Sequence, residues 1–358
     1  MTARLTHIDL LRVALTAGVI ATHAIITYGG PGSWFIQDGE LPSVLEAVAT
    51  VPIVFGALFG MGAFFFVAGA FIPGSLDRRG PRRFAVSRLH RLGWPLLVFV
   101  LVVVPLTHWV AHAVAGPPRS FGTVVTEQLR ELNPGPLWFV WVLLLFSLLA
   151  VPVLRALPPA RPVVLRPALL VRCGVFIAVA SFSFRVFFPL DSEQIGGAKL
   201  WQWGQCIGLF VLGIVAGRQG WLTEIPATVR RASGWAALAA GATVITSIAI
   251  AGVEAEEFQG GWHWQSALLA VCEGVLCVSV TMLLVDLFRG VTGGEPLIRG
   301  AYGAYILQTP VLVGLTIILY GVAWPAAAKL AVVLPLALVA CFGLALLLLR
   351  VPLLRRVL

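Results

Sequence analysis

The run "RVALTAGVIATH" is apolar except at its ends, where Arg12 and His23 stand eleven positions apart. Eleven steps of about 100° overshoot three turns by about 20°, so on a helix the two side chains share one face, roughly 16 Å apart along the axis. A fixed guanidinium suits a phosphate-bearing ligand. An imidazole farther along suits proton transfer near neutral pH. Asp9, one turn before Arg12, falls near the same face and is placed to hold the guanidinium. Structural roles fit as well: Arg12 reaching lipid headgroups along its aliphatic stem, and His23 making a buried polar contact between helices.

Other residues carry comparable choices. In "RRGPRRFAVSRLHRLGWPLL", Arg88 and Arg91 form an R-x-x-R pair. One turn apart at a helix start, they would grip a phosphate bidentately, or else anchor the chain to anionic headgroups. Glu273, inside the apolar "AVCEGVLC", is either a proton relay or one half of a buried hydrogen bond between helices. Arg185 in "FSFRVFF" is expected to contact an acceptor or, more simply, an outer headgroup. His108 and His112 have metal-ligand spacing without an evident third ligand, so no metal is expected and they read as interfacial histidines. Five cysteines, all in apolar runs, read as packing residues. No G-x-S-x-G elbow, Walker loop or H-E-x-x-H helix occurs.

The elements that must position these residues follow from composition. Of 358 residues, 59% are hydrophobic and 11% charged, and the mean hydropathy is +0.94, outside the range of a soluble globular domain. Apolar runs long enough to cross about 30 Å of hydrocarbon recur throughout. Ten spans are read, at 8–28, 44–74, 92–114, 137–154, 168–190, 199–217, 233–252, 264–287, 301–320 and 326–349. The expected fold is all-α: a polytopic membrane helical bundle of about ten transmembrane helices, forming a single domain over 1–358. The second span is long enough to be tilted or to begin at the interface. The first has no small-residue cleavage site after it and reads as a retained helix.

Most of the 25 basic residues fall at the N-terminus, after even-numbered spans, or at the C-terminus. The acidic residues Asp38, Glu40, Glu46, Glu127, Glu131, Asp191, Glu193, Glu254, Glu256 and Glu257 favour the other side. The positive-inside rule then makes both termini cytoplasmic, in a multi-pass protein of the plasma (inner) membrane. The net charge of +9 is thereby a topology signal, and no nucleic-acid partner is expected. Trp34, Trp109, Trp201, Trp203, Trp262, Trp264 and Trp324 read as interfacial aromatics. The longer segments between spans read as loops. Gly204, Gly208, Gly213 and Gly217 read as close-packing positions on one helix.

Five segments in order, "IDLLRVALTAGVIATH", "FFFVAGAFIPGSL" followed by "RFAVSRLHRLGWP", "LWFVWVLLLFSLL", "GLFVLGIVAG" and "AYGAYILQTPVL", resemble the acyltransferase-3 family of integral membrane acyltransferases. The resemblance covers nearly the whole chain. It implies transfer of an acyl group from cytoplasmic acyl-CoA (acetyl-CoA or succinyl-CoA as co-substrate, with no metal) to a hydroxyl of a sugar, glycan or small molecule. It implies that Arg12 and His23 are the family's R-x10-H core, and that Arg88 and Arg91 bind the CoA phosphates. His23 would be general base or acyl acceptor, with Glu273 as a second catalytic candidate. Trp138, Tyr305 and Gln308 are assigned to the substrate. The sequence departs from the family at Gln308, where many relatives carry histidine, and at "VAGAF", which replaces a Ser-Gly-Phe run. A stand-alone type is expected, without the esterase-like domain fused to some relatives, and "LWFVWVLL" is closer to the glucan-succinylating branch. A transporter or exporter using the same polar track is the alternative from another class. An envelope-assembly subunit is a third.

Overall fold

A backbone in hydrocarbon must satisfy its own N–H and C=O groups, and a helix does so within one segment. The computed structural model obeys this demand: 80% of it is helical and no strand occurs among the described residues. These are residues 5–357 other than 118, 159–160, 191, 193, 252–254 and 353. Asp191, Glu193 and Glu254, which the charge pattern places on the outer side, lie outside them.

The helices are α1 (Thr6–Thr27), α2 (Ser43–Arg79), α3 (Pro81–Ala115), α4 (Phe121–Glu131), α5 (Trp138–Ala156), α6 (Pro167–Phe187), α7 (Trp203–Gln219), α8 (Ala227–Ala251), α9 (Trp264–Phe288), α10 (Glu295–Leu319) and α11 (Ala326–Leu348). With α4 and α5 taken as one run, ten among the described residues are long and apolar enough to cross a membrane. The chain is a multi-pass membrane protein. Two segments expected as loops are helical. The basic stretch from Pro81 onward opens α3, and Phe121–Glu131 forms α4, capped by Ser120 Oγ, which accepts from the Thr123 N–H at 3.1 Å. Hydropathy sees only the lipid-facing part of a helix, so polar helical extensions escape it.

Lipid supplies no hydrophobic drive for helix association, so close packing has to hold the bundle. The four glycines of α7 supply it on two faces. A Cβ on Gly204 or Gly208 would collide with Ser181 or Ile177 of α6, and one on Gly213 or Gly217 with the Phe66 or Ala70 carbonyl of α2. Between α6 and α9, Gly174 and Gly274 meet in the same way. Gly213→Leu is expected to force α2 and α7 apart and cost about 1–3 kcal/mol or more. The check is the thermal midpoint of the detergent-solubilised protein; an unchanged midpoint would remove this account of the contact.

The core divides into three main clusters. One is aromatic, built by Phe64, Phe65, Phe139, Phe146 and Phe210 of α2, α5 and α7. A second joins the start of α1 to α2, α6, α7 and α9. The third joins α1, α10 and α11. Cys206, Cys272, Cys277 and Cys341 are buried and Cys173 is half-buried, all as free thiols. Trp109, Trp262, Trp264 and Trp324 are exposed, as interfacial residues must be. Trp201 is buried, and Trp34 is folded inward.

Candidate functional site

The arginines come together first. A cavity of about 1360 Å³ opens at the end of the bundle where α1 begins. Arg12 of α1, Arg78 and Arg79 of α2, Arg88 and Arg91 of α3, Arg299 of α10, and Arg350 and Arg355 after α11 all line it. Among the described residues one carboxylate lines the cavity with them, that of Asp9, which pairs with Arg12 at 3.0 Å, as the i, i+3 spacing predicts. Arg88 lies 5.1 Å above the ring of Phe84, which orients its guanidinium, and Arg79 donates to Ser87 Oγ at 2.7 Å. Arg91 sits in a π-helical turn, Leu89–Gly93, and its carbonyl accepts from the Tyr302 hydroxyl at 3.0 Å. That bond ties α3 to α10 across the cavity wall. Among the described residues, eight guanidiniums surround this one opening, a positive field that suits a multiply charged anion.

The inner end of the cavity is aromatic. Phe64, Phe139 and Tyr305 line it, with ring centroids 5.2 Å (Phe64 to Phe139), 5.8 Å (Phe139 to Tyr305) and 6.3 Å (Phe64 to Tyr305) apart. Tyr305 is held there because its hydroxyl donates to the Pro136 carbonyl at 2.5 Å. Trp138 belongs to the same core cluster and does not line the cavity.

His23 lies beyond those rings. Thr16 is the α1 residue that lines the cavity farthest in, and His23 is seven residues, about 10 Å, past it. His23 Nδ1 meets Gln308 Oε1 at 2.9 Å, and Gln308 is one turn past Tyr305 on α10. The amide oxygen can only accept, so in this arrangement Nδ1 carries the proton and Nε2 keeps the lone pair. Two residues beyond Gln308, Pro310 deprives the Ile306 carbonyl of its helical donor, which loosens α10 beside the histidine. The loop after α1 covers the other side: Trp34 stacks on the imidazole, centroids 4.1 Å apart and planes at 21°. Asp38 of that loop pairs with the buried Lys329 of α11 at 2.8 Å, fixing the cover in place. His108 is in contact with Phe35 of the same loop, and no metal-holding cluster occurs among the described residues.

Two donors beside His23, Gln308 Nε2 and Trp34 Nε1, are buried without a hydrogen-bond partner. An unmet buried donor costs about 1–3 kcal/mol. Acyl transfer needs such donors, aimed at the oxygen that becomes negative in the tetrahedral intermediate.

Glu273 belongs to a different neighbourhood. Its Oε2 pairs with Arg185 Nη2 at 2.6 Å, and both side chains are essentially inaccessible. The expectation that Arg185 touches an acceptor or a headgroup is therefore corrected: it turns inward toward Glu273, under Trp201, whose ring lies 5.9 Å away. Glu273 Oε1 also accepts from Gln205 Nε2 at 2.8 Å, and Gln205 in turn donates to the Ala57 carbonyl and accepts from the Gly62 N–H. These are backbone groups of the π-helical turn Gly56–Gly60 and of Gly62, two residues past it, where a π turn disturbs the ordinary ladder. Gln205 thus locks the segment of α2 that precedes Phe64. Glu273 neither lines the arginine cavity nor counts His23 among its hydrogen-bond partners.

The structure therefore gathers Arg12, Arg88, Arg91 and Tyr305 at one cavity, sets Gln308 one turn past Tyr305 on α10 and His23 about two turns past Thr16 on α1, and places Trp138 in the aromatic core cluster and Glu273 in the ion pair with Arg185. Sequence reasoning missed Trp34 and Gln205, and read Arg78, Arg79, Arg299, Arg350 and Arg355 only as charge. A single loop tryptophan beside other interfacial tryptophans gives no local signal that it will fold over a histidine. A family model described as an acyltransferase domain matches residues 5–350. No curated protein and no solved structure matches the chain.

Proposed function

The chain belongs to the acyltransferase-3 family and so to the membrane acyltransferases, and on that premise we propose that it moves an acyl group from acyl-CoA to a hydroxyl of a sugar, glycan or small molecule. One observation carries the reading: a cavity lined by eight arginines among the described residues, whose inner end at Tyr305 stops one turn of α10 short of Gln308, the partner of His23. CoA is a highly charged head on a long thin arm. Arg88 and Arg91 hold its diphosphate, Arg12 stands where head meets arm, and the arm runs past Phe64, Phe139 and Tyr305 toward His23. His23 Nε2 takes the proton from the acceptor hydroxyl as its oxygen attacks the thioester carbonyl. Gln308 Nε2 and Trp34 Nε1 donate to the carbonyl oxygen as it becomes negative. The C–S bond then breaks, and the imidazolium returns its proton to the leaving thiolate, releasing CoA. The arginine face and both termini lie in the cytoplasm, in the plasma membrane, by the positive-inside rule.

Arg88→Ala and Arg91→Ala are each expected to weaken acetyl-CoA or succinyl-CoA binding by about 10- to 100-fold, the equivalent of one lost charged hydrogen bond. The measurement is titration of the purified protein in nanodiscs, with thiol release as a second readout. Wild-type protein that binds no acyl-CoA of either kind defeats the reading. Flux of a substrate without thiol release would point to transport instead.

A further inference from the structure

Five guanidiniums of the cavity remain once Arg88, Arg91 and Arg12 are assigned: Arg78 and Arg79 at the end of α2, where Arg79 is bonded to Ser87, and Arg299, Arg350 and Arg355. Arg299 lies one turn inside α10, and Arg350 and Arg355 follow α11, whereas Arg88 and Arg91 come from α3. None of Arg299, Arg350 and Arg355 has an ion-pair partner among the described residues. The position of Arg299 relative to Arg91 is set by structure: Tyr302, three residues after Arg299 on the same face of α10, holds the Arg91 carbonyl at 3.0 Å. A diphosphate is one compact anion, and two arginines one turn apart already match it. Further guanidiniums on separate elements, facing the same cavity, suit a second anionic group at a distance from the first. Resting on the acyl-CoA reading above, we infer that Arg299 and Arg350, with Arg355 at the rim, form a separate phosphomonoester subsite, which recognises the donor through the phosphate on its ribose.

The same chemistry would hold a phospholipid headgroup, so the test separates the two sources. CoA and 3′-dephospho-CoA are titrated against the protein in nanodiscs of phosphatidylcholine alone and of phosphatidylcholine with an anionic phospholipid. In the neutral discs wild type is expected to bind CoA about 10-fold or more tightly than the dephosphorylated form, from a charged hydrogen bond or two. Arg299→Ala or Arg350→Ala is expected to bring CoA down to the affinity of 3′-dephospho-CoA while leaving the latter unchanged. Arg88→Ala weakens both ligands alike. If wild type binds the two ligands equally, or the Arg299 and Arg350 variants weaken both equally, the subsite is overturned while acyl-CoA use stands. If those variants alter only the response to anionic lipid, the arginines hold headgroups and the subsite is again overturned. If neither ligand binds at all, the acyl-CoA reading and the subsite are overturned together.

Discussion

His23→Ala is expected to lower acyl transfer by about 10²–10⁴-fold, the usual contribution of a positioned general base, while acyl-CoA binding is retained. The separation of functions is geometric. The arginines that hold the charged head line the cavity, and His23 lies past its aromatic inner end, paired with Gln308 and stacked under Trp34. Removing the imidazole therefore takes away the proton acceptor without touching the phosphate contacts. The experiment compares thiol release and equilibrium binding in the same nanodisc preparation, with the oligomeric profile as a check on folding. A variant that turns over normally removes His23 from the chemistry. A variant that loses binding in parallel with turnover moves His23 from catalysis to the architecture of the site.

Glu273→Ala is expected to destabilise the protein by about 3–5 kcal/mol, because it leaves the Arg185 guanidinium buried without its counter-charge. Arg185 and Glu273 are fully enclosed between α6 and α9, so neither charge can turn to water. The loss extends to Gln205, which gives up one acceptor while still bridging Ala57 and Gly62 of α2. Thermal unfolding of the solubilised protein reads the effect. The companion variant carries Arg185→Met and Glu273→Leu together. Exchange of a buried pair for apolar side chains of similar volume is often close to neutral, so this variant is expected to recover most of the stability and to keep acyl transfer. A double variant that is stable yet inactive, with binding intact, would instead make Glu273 a proton relay. That outcome would reverse the assignment of Glu273 to the framework of α2.

Much of this arrangement is legible without coordinates because the bilayer is a severe solvent. It demands about 20 apolar residues per crossing and satisfies the backbone only as helix, so hydropathy alone places ten spans in the regions where ten candidate helices stand. The R-x10-H spacing works for the same reason: on a straight helix, angle and rise follow from residue number. The pairing of Arg12 with Asp9 needs nothing beyond three residues of one helix. Small residues along α7 announce close packing, since only a missing Cβ lets two backbones approach in lipid.

What tertiary structure alone decided are the contacts between helices. Gln308 is 285 positions from His23, and Glu273 is 88 from Arg185. A lone polar residue in an apolar helix announces a cost without naming the partner that removes it. Sequence thus treated Glu273 and His23 as one kind of anomaly, and the fold gave them different neighbours. Cationic residues posed the converse problem. Five arginines read as topology signals line the same cavity as Arg12, Arg88 and Arg91, because a charge that orients a helix in the membrane is equally free to face a ligand, and only the packing of α1, α2, α3 and α10 fixes which way it points.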